Sequence, residues 1–168
     1  MLRYLLILFL VLQTGIHDTM AQRSFPEKCI GNWEGTLFIY NQGQLRDSVA
    51  VNLEVSPTPD PVTFQWKTTY RSENHPMVKD YTMVIDTSAA NTYIMKEEEN
   101  VELFMYSFDN KLYSLFETES TMLSSTYEIQ KDTLFFEVNS ATTQATGPVV
   151  TSFNIGYLQK VKFVRESN

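Results

Sequence analysis

A single cysteine, Cys29, is all the thiol chemistry in this 168-residue sequence, so no disulfide can form within the chain. Stability has to come from packing. Long hydrophobic runs are missing as well: the stretch from Tyr4 to Leu12 falls well short of the roughly 20 residues that span a bilayer as a helix. No membrane span is expected. Basic clusters are scarce, and the formal net charge is -7. Nucleic acid and anionic membrane surfaces attract grouped Lys and Arg, so no nucleic-acid partner is expected. Catalytic signatures are absent too. The sequence has no Gly-x-Ser-x-Gly elbow, no glycine loop that would cradle phosphate and no EF-hand spacing. Histidine, a common base and metal ligand, occurs twice, and one of the two lies in the leader described next.

What is present begins with an address. Arg3, the apolar run behind it and the small-residue site Thr19-Met20-Ala21 have the layout of a signal peptide, residues 1–21, cleaved after Ala21. The mature chain is then secreted or periplasmic. Residues 22–168 are enough for one domain with a substantial core. A lipid-modified Cys29 would need small and apolar residues before it, whereas Pro26-Glu27-Lys28 precede it. It is read instead as a small, partly buried thiol.

Period-two alternation rich in Val, Ile, Thr, Tyr and Phe dominates the mature chain, which is the signature of β-strands. Ten strands are expected, at 33–41, 48–55, 62–71, 79–87, 91–97, 101–108, 111–118, 121–129, 132–139 and 150–165. Short joints at Asp109-Asn110, Glu119-Ser120 and Lys131-Asp132 force antiparallel neighbours, because a parallel crossover needs about a dozen residues. The earlier joints "NQGQLRD", "SPTPDP" and "SENHPM" read as looser loops. Local hairpins and the need to hide sheet edges point to an all-β, antiparallel, up-and-down barrel of about ten strands.

Parity assigns the inner wall. In "VTFQWKTTYR" Phe64, Trp66, Thr68 and Tyr70 share a face, as do Tyr81, Met83 and Ile85 further on. Phe64, Trp66, Tyr70, Tyr81 and Met83 are therefore the expected ligand-facing residues. An aromatic-rich wall of this kind serves equally to fill a core or to line a ligand site. The strand "VELFMYSF" is apolar on both faces, which suggests either cover by a neighbour or a contact surface. The carboxylates of "KEEEN", residues 96–100, are read as a solvated hairpin tip, and Glu34 and Glu54 as outward surface charges.

The first strand carries Gly31-Asn32-Trp33-Glu34-Gly35. Gly-x-Trp on a first strand behind a leader resembles the lipocalins and the wider calycin barrels. The Gly-x-Trp-x-Gly form also resembles their ten-stranded nitrobindin-like and fatty-acid-binding-like relatives. The resemblance implies that residues 22–168 form one lipocalin-like, calycin-like barrel. It also implies that Gly31, Trp33 and Gly35 close the barrel base under a basic side chain of the last strand, here Arg165 in "KVKFVRES". Nitrobindin-like barrels hold haem through a histidine. The mature histidine, His75, lies in the polar loop "SENHPM", so neither cofactor nor metal is expected.

Together these readings describe an exported, non-catalytic barrel that binds a small hydrophobic or amphipathic ligand in its interior. Burial of apolar ligand surface, at about 25 cal/mol per Å², would drive binding, and Tyr or Thr hydroxyls would orient a polar end. A competing reading is a solid-cored structural or protein-interaction module of the bacterial cell envelope, with an envelope protein as partner. A calycin-type enzyme is the third.

Overall fold

The computed structural model describes residues 23–97, 101–119, 121–145 and 149–167. The stretch read as a leader lies outside them, as do Glu98, Glu99 and Asn100 of the acidic turn. The described residues form one short helix, α1 (Phe25–Cys29), and ten strands. These are β1 (Gly31–Asn41), β2 (Gln44–Pro57), β3 (Thr63–Tyr70), β4 (Met77–Ile85), β5 (Thr92–Lys96), β6 (Glu102–Phe108), β7 (Lys111–Thr118), β8 (Thr121–Gln130), β9 (Thr133–Ala145) and β10 (Thr151–Arg165). Each strand pairs antiparallel with its neighbour in sequence, and β1 also pairs with β10, so the sheet closes into a barrel. No sheet edge runs the length of the molecule.

The turns explain this simple connectivity. Asp109 and Lys131 each take φ of 55°, the left-handed conformation that short hairpin turns require. "NQGQLRD" turns out tighter than the loose loop expected from its composition. Gln42 and Gly43 adopt φ of 49° and 75°, and β2 therefore begins at Gln44 rather than 48. At the other end of the chain, β9 continues to Ala145, past the expected limit of 139, because its ladder with β10 extends to the Thr151–Ala145 pair.

Alternation places Trp33 and Leu37 of β1, Val51, Leu53 and Val55 of β2, and Trp66 of β3 inside, where all are buried. Met83, Met95, Met105, Leu112, Leu134 and Phe163 complete the core from the remaining strands. Helix α1 lies across the end where β1 starts and β10 stops. Its entry is fixed by the Glu27 carboxylate, which accepts from the Ser24 N–H at 2.6 Å and the Ser24 hydroxyl at 2.7 Å. Pro26 is tolerated in this first turn. Phe25, Pro26 and Cys29 are buried, and the Phe25 N–H donates to the Tyr93 hydroxyl at 3.2 Å.

Candidate functional site

The interior is filled at the α1 end and hollow toward the other. A cavity of about 160 Å³ lies among the later turns of the wall, bounded on its apolar side by Met95, Leu103, Met105, Phe116, Phe136 and Val138. Its polar side is formed by Thr68, Tyr70, Tyr81, Ser125, Tyr127 and Gln159, with Glu97 beside them. Below it, only about 10 Å³ remains among Leu37, Leu53, Val161 and Phe163. That is at the lower limit for a single water. The cavity thus has a solid floor.

The tyrosines belong to a stacked layer. The Tyr127 ring meets Trp66 edge-on at 5.3 Å and lies 4.6 Å from Phe136. Burial pushes the Tyr127 phenol well above the usual tyrosine range. The Tyr70 phenol is raised as well, chiefly by burial and then by the charge of Glu97. Trp66 Nε1 lies close enough to Tyr127 to pull its titration downward, yet it meets no acceptor at hydrogen-bond geometry among the described residues.

The structure divides the expected inner wall. Tyr70 and Tyr81 line the cavity. Phe64, Trp66 and Met83 are buried but lie outside its lining, with Trp66 and Met83 in the packed core. Glu97 is the cavity residue that composition hides. The acidic run "KEEEN" reads as a solvated tip, whereas Glu97 continues the inward parity of Tyr93 and Met95 and is half-buried. Parity carried one residue past the end of β5 would have found it.

At the other end, Trp33 is fully buried. Its indole N–H donates to the Cys29 carbonyl at 2.8 Å. The Arg165 guanidinium lies 4.0 Å from the centroid of the Trp33 ring and donates to the carbonyls of Ile30 and Lys28, the latter at 2.9 Å. Asp132 is 3.5 Å from Arg165 Nε. Cys29 is fully buried rather than partly so, and burial pushes its thiol far above the usual range. A thiol held protonated in this way is a poor nucleophile.

No protein-family model and no curated protein matches the sequence. Solved structures do match. The S-type phycobiliprotein lyase CpeS from Guillardia theta is similar at a TM-score of 0.64 and 11% identity, covering 88% of this chain and 95% of that one. A DUF3598-family protein of unknown function from Nostoc punctiforme is similar at 0.57 and 12% identity, over 84% of this chain but 49% of that longer one. The likeness is one of fold. The fold is thereby supported from outside the chain, at an identity too low to carry an activity across.

The other residues singled out in the sequence lie elsewhere on the barrel. No group of three or more potential metal ligands occurs among the described residues. His75 is exposed in its loop, and Glu34 and Glu54 are exposed on the outer face. A larger depression of about 460 Å³ lies on the outer wall between Phe38 and Phe135. It is open to solvent and crossed by charges of both signs, including the Lys111–Glu128 pair at 3.6 Å. The interior cavity, with convergent hydroxyls against an apolar wall, is the better ligand site.

Proposed function

We propose that this chain is an exported, non-catalytic, calycin-like barrel that binds a small amphipathic molecule in its interior cavity. The observation that carries the reading is the cavity itself: about 160 Å³ of space, apolar on one side and hydroxyl-lined on the other. Its size limits the ligand. Typical small-molecule sites occupy about 300–1,000 Å³, whereas a cavity of about 150 Å³ suffices for benzene. A molecule of benzene size, or a short alkyl chain with one polar end, suits the space as it stands. The similar phycobiliprotein lyase lends the reading a fold precedent. Titration calorimetry with octan-1-ol tests it: saturable one-to-one binding is expected, weakened by filling the cavity with Val138→Phe. Heat of dilution alone would count against it.

Export would place the mature chain in the periplasm or outside the cell. The mass of the protein recovered from that compartment should correspond to a chain starting at Gln22.

A second reading, a protein-interaction module, is favoured by one observation. The outer faces of β6 and β7 leave Phe104, Tyr106, Phe108, Tyr113 and Leu115 exposed on adjacent strands. A contiguous apolar patch commonly marks an interaction site. If this surface is the functional one, Phe104→Ser with Leu115→Ser abolishes partner binding and leaves octan-1-ol binding unchanged.

A further inference from the structure

Glu97 stands apart from every other residue around the cavity. Among the described residues it is the only carboxylate or cationic side chain in the lining, and its neighbours there are hydroxyls, an amide and apolar groups. Two features fix it in place. The inward alternation of Tyr93 and Met95 leads to it along β5, and its backbone N–H donates to the Val101 carbonyl at 2.9 Å. Its side chain is half-buried and has no ion-pair partner among the described residues.

None of the cations nearby forms an ion pair with it among the described residues. Lys96, its chain neighbour, is paired with Glu102 at 3.0 Å on the outer face. Arg165 is held at the far end by backbone carbonyls and Asp132. Lys79 stands 6.0 Å from the ring centroid of Tyr81, a wall residue, without being in the lining itself or within ion-pair distance of Glu97. The Glu97 charge is nonetheless felt inside, since it helps to raise the Tyr70 phenol. A carboxylate that faces the cavity without an ion-pair partner among the described residues is a ready acceptor for a ligand's positive charge.

We infer that the cavity selects small apolar molecules bearing a cationic nitrogen, with Glu97 accepting from that nitrogen and Leu103, Met105 and Phe116 covering the apolar body. The inference rests on the proposed ligand-binding reading and sharpens it. A primary ammonium has three donors, and the Tyr70 hydroxyl offers a further acceptor beside Glu97. An anionic head such as a fatty-acid carboxylate would meet like charge in the same place. A cavity that accepts an alkyl chain thus rejects the acid and prefers the amine.

Three ligands of equal chain length separate the possibilities: octylamine, octan-1-ol and octanoate, each titrated into the full chain at pH 7 by calorimetry. Octylamine is expected to bind at least about tenfold tighter than octanoate, a difference of about 1.4 kcal/mol. Glu97→Gln should reduce that ratio to about twofold or less. Equal binding of amine and acid overturns the inference, and so does a ratio that survives Glu97→Gln. In both cases persistent binding of octan-1-ol keeps the ligand-binding reading intact. Failure of all three to bind removes both. A circular dichroism melt of Glu97→Gln matching the parent excludes misfolding as the cause of any loss.

Discussion

A Cβ at Gly35 would lie 2.6 Å from the Lys162 carbonyl oxygen and 2.8 Å from a Val161 methyl, so β1 and β10 can pack this closely only with glycine there. Gly31, at φ +133°, adopts a conformation that other residues resist, and a Cβ on it would sit 2.8 Å from the Arg165 guanidinium. These contacts give the Gly-x-Trp-x-Gly stretch a physical reason. Trp33 fills the space so defined, and the guanidinium above it contributes about 0.5–2 kcal/mol as a cation over an indole. Trp33→Ala is expected to cost about 3–5 kcal/mol, read as a fall in Tm, with octan-1-ol affinity little changed because Trp33 is remote from the cavity lining. A second residue sets a pH limit. Burial keeps the Tyr127 phenol protonated beyond the ordinary tyrosine value near 10.0. Above that pH the unfolded chain loses the proton and the folded chain does not, so stability present below it declines as pH rises. Buried Cys29 adds a similar loss that begins from its ordinary value near 9.0. A Tm profile of Tyr127→Phe should therefore fall less steeply than the parent's between about pH 10 and 12. Parallel profiles would show that Tyr127 ionisation contributes nothing.

Among the elements, β6 and β7 form the weakest seam of the barrel. Their ladder holds only the pairs Tyr106–Tyr113, Ser107–Leu112 and Phe108–Lys111, although both strands continue further. Beyond these pairs the Ser114 hydroxyl donates to the Phe104 carbonyl at 2.8 Å in place of a backbone donor. Leu103, Met105 and Phe116, just inside this seam, line the cavity. Along β6, which is paired with β5 from Glu102 to Tyr106, only alternate residues face β7, so the amides of Glu102 and Phe104 should exchange faster than those of the central β9 and β10 ladder. Equal protection would mean that the seam is closed in solution. This seam also shows where sequence reading succeeds and where it fails. Alternation of Val, Thr, Tyr and Phe located all ten strands, and short turns with Asp109 and Lys131 dictated a meander. Strand limits slipped where pairing rather than composition sets them, as at Gln44 and Ala145. Parity placed Tyr70 and Tyr81 on the inner face, where they line the cavity, because the inner face of a strand is a local property. It could not separate them from Phe64, Trp66 and Met83, because the depth at which a barrel stops being filled depends on side chains from every strand. Glu97 was hidden by its acidic neighbours, whose composition suggested solvent.

At the scale of the whole molecule, ten strands around one axis leave more interior than their side chains fill. The surplus collects at the end away from α1 because Trp33, Trp66, Met83 and Leu134 crowd the other, where each is buried. A closed end with helix, tryptophan and arginine, and a hollow end with tyrosines and Glu97, give the barrel a packed half and a hollow half, the latter being the proposed binding half. Methionine methyl groups report on this division directly. Met95 and Met105 line the cavity, whereas Met77 is 45% exposed at the start of β4. In a carbon-13 methyl spectrum titrated with octan-1-ol, the Met95 and Met105 signals should shift saturably while Met77 stays in place. An unchanged Met95 and Met105, or a shift confined to Met77, would contradict ligand binding inside the barrel.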